Sequence, residues 1–308
     1  MLVDESELHL ACDAGQTGIR IVLSQNKFRK EFSFPGILTD QDLFPQFASV
    51  IEKALEGLNT PATVSIGSTG LTNKDNKPER LIQLLRGKVA KVFMAHDSVT
   101  GLLGSIGLSE GTMTAVGTGV VTLSVGPEMV ARVDGWGNLI GDCGSAYWIG
   151  RAGLERGLMA YDGRLPETKL LEILWDNFSH PEDAYIDLQS SPNRVARIAS
   201  FARKVLELAS EDAAAMEIVT LAASELSLSA FTAARRSGAL ASGRPLFSFA
   251  GNVMKSEVLR GEVEIKLRGF APEAVIEPPK GEPIDGVVLL PKVSPTSPLY
   301  KEIVVAHA

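Results

Sequence analysis

The chain has 308 residues, of which 45% are apolar, and a formal net charge of -7 at pH 7. That much apolar sequence fills one large core or two medium ones, which excludes a disordered chain. The acidic balance argues against a nucleic-acid partner but leaves room for a phosphorylated ligand held locally.

Two cysteines, Cys12 and Cys143, without a spaced Cys/His cluster, indicate neither a disulfide framework nor a zinc site. The N-terminal stretch MLVDESELHL is acidic and lacks the apolar run of a signal peptide. No uninterrupted apolar run reaches membrane-spanning length. The expected setting is cytoplasmic, with no membrane partner.

In chain order, LHLACDA (8–14) and GIRIVLS (18–24) form two strands of a hairpin bent at Gly15 and Gly18, and KFRKEFSF (27–34) alternates as a third. TDQDLFPQFASVIEKALEGL (39–58) is helical in its later part, with Thr39 and Asp42 as cap candidates and Pro45 suited to a first turn. ATVSIG (62–67) is a strand running into the polar loop STGLT, and AKVFMAHD (90–97) is a strand before the short helix SVTGLLGSIG.

A second set follows. GTMTAVGTGVVTLSVG (111–126) gives two strands joined at Gly-Thr-Gly, and MVARV (129–133) adds a third. GWGNLIGDCGS is a loop, AYWIGRAGLERGLMAY (146–161) a helix, and further helices follow. In the helix over about 211–237, Val219, Ala222, Ala223, Leu226 and Ala230 share one face. PLFSFAG (245–251) is a strand, KSEVLRGEVEIKL (255–267) a helix, EAVIEP (273–278) alternates again, and SPTSPLY (294–300) reads as a surface turn. Strands and helices recur in the same order twice, which predicts two α/β units, over 1–106 and 107–308.

Five stretches carry candidate chemistry. In DAGQTG (13–18), Gly15, Gln16 and Thr17 can turn amides and a hydroxyl toward a phosphate, and Asp13 can hold a hydrated Mg²⁺; an ordinary hairpin turn explains the same letters. Gly117, Thr118 and Gly119 can do likewise in the second set. Asp97, in AHDS, stands where a carboxylate can take a hydroxyl proton or simply cap a helix. In GWGNLIGDCGSAYWIG, capping by Asp142 or Ser145 does not account for four glycines, which suggests a ligand against bare backbone. Gly251 and Asn252 follow a strand, where an adenine or a plain turn fits.

These stretches, in this order, resemble the BadF/BadG/BcrA/BcrD ATPase family over nearly the whole chain, and within it the N-acetylglucosamine and glucosamine kinases. The most specific match is WGNLIGDCGSAYWIGR, against the family's GWG…GDEGS-[AG]-YWIG. The resemblance implies an actin-like ATPase fold, two ribonuclease-H-like lobes around a central cleft, that binds ATP, Mg²⁺ and a sugar. It makes Asp97 the base and Asp13 the metal residue. Gly15, Gln16, Thr17, Gly117, Thr118, Gly119, Gly251 and Asn252 would hold ATP. Ser68, Thr69, Gly135, Trp136, Gly137 and Asp142 would lie by the sugar, with Asp97.

Relatives are often homodimers. This sequence departs from the family pattern at Cys143, where glutamate is usual, at Ala14 and Gln16, which replace glycines, and in FSFPGILT, which lacks the asparagine of many sugar-phosphorylating relatives. Those departures keep two alternatives open: a non-catalytic nucleotide or sugar sensor, and an ATPase coupled to a partner protein.

Overall fold

A computed structural model describes residues 6–71 and 77–308; the first five residues and Thr72, the last of the STGLT loop, lie outside the described part. The chain begins with β1 (His9–Ala14), β2 (Ile19–Gln25) and β3 (Phe28–Phe34), then α1 (Leu43–Ala54), β4 (Ala62–Ser68), α2 (Glu79–Leu84), β5 (Val89–His96) and α3 (Asp97–Ile106). Next come β6 (Gly111–Val116), β7 (Val120–Val125), β8 (Val130–Val133) and α4 (Ala146–Tyr161). Four short helices follow: α5 (Leu171–Asn177), α6 (Ala184–Ser190), α7 (Arg194–Ser200) and α8 (Ala202–Leu208). The chain closes with α9 (Ala213–Ser237), β9 (Leu246–Ala250), α10 (Glu257–Phe270), β10 (Val275–Glu277), α11 (Pro283–Leu289) and β11 (Val304–His307).

The chain is mixed α/β with two sheets, ordered β11-β5-β4-β1-β2-β3 and β10-β9-β6-β7-β8. Step for step, β10-β9-β6-β7-β8 repeats β5-β4-β1-β2-β3. In the first sheet β4 lies parallel to β1 and to β5, so the carboxyl ends of all three point one way. In the second, β9 lies parallel to β6 and to β10.

Contacts divide the chain into two compact units, residues 1–110 with 125–130 and 279–308, and residues 111–124 with 131–278. Residues 279–308 belong with the first unit rather than the second. The reason is direct: β11 pairs antiparallel with β5, and α11 packs on α3. That helix crossing depends on glycine. A Cβ on Gly286 would lie 1.8 Å from the Thr100 carbonyl oxygen, and one on Gly104 2.4 Å from that of Glu282.

Each unit has its own core. In the first, α1 buries Phe44, Phe47 and Ile51 under β1, β2 and β4. Asp42 caps α1 by accepting from the Phe44 amide at 3.1 Å; Thr39, the other candidate, does not. In the second, α9 carries the predicted face, with Val219, Ala222, Ala223, Leu226 and Ala230 all buried. Among the described residues α9 is the one helix long and apolar enough to cross a membrane, and 44% of that window is buried inside its unit. SPTSPLY is only partly a surface turn: it leads into a 3-10 helix at Pro298–Glu302 that buries Leu299.

Candidate active site

In the first unit the register sets Asp13 beside Gly67 and Gly67 beside Ala95, and in the next row Ala14, Ser68 and His96. Asp13 and Asp97 therefore stand at the ends of two strands flanking β4. The first turn closes with the Gly15 amide donating to the Gly18 carbonyl at 3.0 Å. Gln16 and Thr17 are exposed at its tip.

The segment after β3 lies on this turn. The Ile37 amide donates to the Gly15 carbonyl at 3.0 Å. A Cβ on Gly36 would lie 2.0 Å from the Gln16 carbonyl oxygen, so only glycine fits there. Gln16 Nε2 donates to Thr39 Oγ1 at 3.1 Å. Thr39 is a residue of this site, not a cap, and the fold beside it explains why: a Cβ on Gly70 would meet Thr39 at 2.9 Å.

Burial pushes the Asp13 carboxyl up to about 6, with Asp97 and Glu282 adding in the same direction and Arg20 opposing them. Asp97 goes the other way. Burial would raise it, but the hydrogen bond and charge of His96, the Ser98 amide and the Thr69 hydroxyl hold it below the usual carboxylate range. His96 stands at the N-cap position of α3, its Nδ1 3.2 Å from the Ser98 amide nitrogen, and Asp97 is the first residue of the helix. Ser68 is fully buried, and its hydroxyl is shared between the carbonyls of Ala14 at 3.1 Å and Thr69 at 2.9 Å. It serves the turn, and Thr69 presents the more accessible hydroxyl.

In the second unit the Gly117 amide donates to the Gly119 carbonyl at 2.9 Å. The first turn of α4 is fastened to this bend: the Ala146 and Tyr147 amides donate to the Gly117 and Thr118 carbonyls at 2.9 and 3.2 Å. Ser145 caps α4, accepting from the Trp148 amide at 3.2 Å. Gly117 and Thr118 remain exposed.

The loop from 134 to 144 is organised by two aspartates with positive φ, Asp134 (58°) and Asp142 (57°). Asp134 Oδ1 accepts from the amides of Gly135 at 2.8 Å and Asp142 at 2.9 Å, and its Oδ2 from Cys143 at 3.2 Å. Asp142 is 8% exposed, and its carboxylate accepts from the amides of Gly137 and Val120. Burial holds that carboxyl above its usual range despite those bonds.

The crowded glycines thus have local causes. A Cβ on Gly119 would lie 2.5 Å from Asp142 Oδ2, and one on Gly144 2.9 Å from the Ala222 carbonyl oxygen. Asp142 braces the second turn from behind. What the loop presents outward is Trp136, 64% exposed, with Arg132 stacked over its ring at 5.4 Å, and the still more exposed Leu139 and Ile140.

Gly251, with φ 107°, brings β9 against β6: a Cβ there would lie 2.2 Å from the Val116 carbonyl oxygen. Beside it opens a cleft of about 840 Å³, lined by Ala146, Ser200, Arg203, Glu207, Asn252 and Lys255 among others. Asn252 is thus brought to a ligand-sized space.

Asp134 has no place in the sequence reading, Thr39 stands there only as a cap candidate, and His96 reads as a packed or surface residue. The aspartate directly before Gly135 is the signal that marks the first, and the other two have no mark outside the fold.

These features describe a mixed α/β protein with two sheets of matching strand order. Its fold is shared with the crystal structure of a candidate N-acetylglucosamine kinase from Chromobacterium violaceum, with a TM-score of 0.67 and 23% identity, covering 94% of this chain and 100% of that one. The sequence profile of the BadF/BadG/BcrA/BcrD ATPase family matches residues 49–289, and the chain belongs to that family.

Two relatives align over shorter stretches. The N-acetylmuramic acid/N-acetylglucosamine kinase of Clostridium acetobutylicum is 32% identical over 118 residues, 37% of this chain and 38% of that protein. The N-acetyl-D-glucosamine kinase of Dictyostelium discoideum is 32% identical over 136 residues, 41% and 43% respectively. The chain therefore matches about two fifths of the length of each of these relatives.

Proposed function

We propose that this protein is an ATP-dependent kinase acting in the cytoplasm, built of two ribonuclease-H-like lobes of the actin-like ATPase kind. It transfers the γ-phosphoryl group to a hydroxyl of an amino sugar or hexose of the N-acetylglucosamine class. One observation carries the proposal: β1 and β5 run parallel to the β4 strand between them and bring Asp13 and Asp97 to the same end of the sheet, where the charge of Asp97 acts on the Asp13 carboxyl.

A group kept ionised at neutral pH is able to receive a proton. Asp97 takes the acceptor hydroxyl's proton as the oxygen attacks, and because phosphoryl transfer passes through a loose transition state, orientation matters more than base strength. Thr69 and His96 supply that orientation. Gln16 and Thr17 at the tip of the first turn, and Thr118 at the tip of the second, receive phosphate oxygens, with Gly15, Gly117 and Gly119 shaping the bends. The adenosine lies in the cleft beside Gly251 and Asn252. In the first unit Thr69 is assigned to the sugar; in the second the same assignment falls on Gly135, Trp136 and Gly137, with Asp142 setting that segment's shape.

Asp13 fits a magnesium ion: it is a half-buried carboxylate among negative neighbours, and Mg²⁺ takes one or two carboxylates and keeps its waters. When bound, the ion neutralises phosphate charge.

The test is ADP release over a panel of sugars with ATP and Mg²⁺, with the product identified by mass. One sugar of the N-acetylglucosamine class should raise ADP release well above background and gain one phosphoryl group. Binding of sugar and nucleotide by calorimetry without turnover would replace the kinase by a sensor. Hydrolysis indifferent to sugar would replace it by a partner-coupled ATPase.

A further inference from the structure

His96 closes β5 and caps α3, and three polar groups crowd one of its nitrogens. Nδ1 lies 2.8 Å from Asp97 Oδ1, 2.9 Å from Ser98 Oγ and 3.2 Å from the Ser98 amide nitrogen. An imidazole nitrogen either carries a proton and donates or is bare and accepts. The capping contact uses the bare form.

A bare Nδ1 at 2.8 Å from a carboxylate oxygen would set lone pair against lone pair with no proton between them. The carboxylate contact is the shortest of the three and falls within the range of a charge-assisted N–H···O⁻ bond, about 2.7–2.9 Å. Nor does protonating Nδ1 orphan the Ser98 amide, because the Asp97 carboxylate also accepts from it. The hydroxyl of Ser98 can turn its lone pairs to Nδ1–H as readily as its proton to a bare nitrogen.

We propose that His96 keeps Nδ1 protonated and is a positioning residue for Asp97, donating to Oδ1 and fixing the rotation of the carboxylate that meets the acceptor hydroxyl. The tautomer of a histidine is set by the partner of its ring nitrogens, and here the partner is the base itself. Its part in turnover rests on the kinase reading; the proton's place does not. In the reaction the hydroxyl proton passes to Asp97 and is released to water after the product leaves. The proton on His96 stays where it is.

The proton is read directly by long-range ¹H–¹⁵N correlation on protein labelled at its four histidines, with His96→Asn identifying the signals. Nδ1 of His96 should resonate as a protonated nitrogen. A bare-nitrogen shift at Nδ1 would overturn the proposal. The second measurement is steady-state kinetics of His96→Asn, because asparagine is among the best helix caps and serves the Ser98 amide whichever tautomer His96 holds. The expected result is a fall in kcat of about 10–100-fold, with KM for sugar and nucleotide and the melting temperature nearly unchanged. A variant as fast as the parent would reduce His96 to a cap. A parent that phosphorylates no sugar would sink the kinase reading and His96's share in turnover, and the nitrogen shift would still decide where the proton sits.

Discussion

At the end of β1 the chain turns through Gly15 and Gly18 with Asp13 two residues before the bend; at the end of β6 it turns through Gly117 and Gly119 with Ala115 in that place. β4 ends in the hydroxyl of Ser68 and is followed by that of Thr69, and β9 is followed by Gly251, with no side chain at all. The two sheets share a strand order, yet one ends in carboxylates and hydroxyls and the other in bare backbone. On the proposed reading a repeated fold divides its labour, acid–base chemistry on one copy and close contact with a ligand on the other.

The largest effect should come from the first sheet. Asp97→Asn keeps the shape and removes the base, and kcat should fall about 10²–10⁴-fold, with little change in nucleotide KM. An unchanged kcat would mean that the two strand ends do not differ in the way described.

Next is Gly251→Ala, which strains a positive φ and drives a Cβ into the Val116 carbonyl. It should cost about 3 kcal/mol in denaturant unfolding and weaken nucleotide binding by calorimetry.

Smaller, and a direct contrast of the two turns, is the pair Gly119→Ala and Gly15→Ala. The first displaces the Asp142 carboxylate and should cost about 1–3 kcal/mol. In the second the Cβ meets the Gly18 carbonyl oxygen at an ordinary 3.6 Å, and stability should move by less than about 1 kcal/mol. Equal losses would erase the contrast.

The smallest effect sharpens the comparison inside the sheets. Burial, with Lys292 nearby, pushes the ring of His9 down to about 4, and its Nε2 pairs with Ser65 Oγ at 2.8 Å. The second sheet is tied instead by hydroxyls, Thr112 to Ser124 and Thr114 to Thr122, which do not titrate. Native His9 stays neutral where the unfolded chain's histidine protonates. Stability is lost as pH falls from about 6.5 toward 4, by at most about 1.4 kcal/mol per unit. Asp13 runs oppositely, since its raised value favours the native state as pH falls through 6. The test is therefore a difference. His9→Gln should flatten the acid slope relative to the parent, and amide exchange should locate the effect in β1 and β4. An identical slope in both proteins would remove His9 from the account.

How much of this was legible beforehand depends on range. α4 spans Ala146–Tyr161 as its pattern predicts, because its cap and apolar period are local. The buried face of α9 and both glycine hairpins are equally local features. The return of α11 and β11 was not legible, because Gly286 looks like any helix glycine until Thr100 lies against it. Within the site, Asp13, Asp97 and the two glycine turns stood out as letters. Ser68 did not show that its hydroxyl turns inward, and Asp142 did not show that its carboxylate faces Gly119 rather than the open side. Those are matters of which way a side chain points, and the strand register decides them.

The packing of α11 on α3 bears on how the protein is made. During synthesis the first hundred residues emerge from the ribosome long before residues 283–289, so the helix that begins at Asp97 must wait for almost the entire chain before its glycine-seated neighbour arrives. A chain cut before residue 279 would keep its second sheet complete and leave α3 and β5 without α11 and β11.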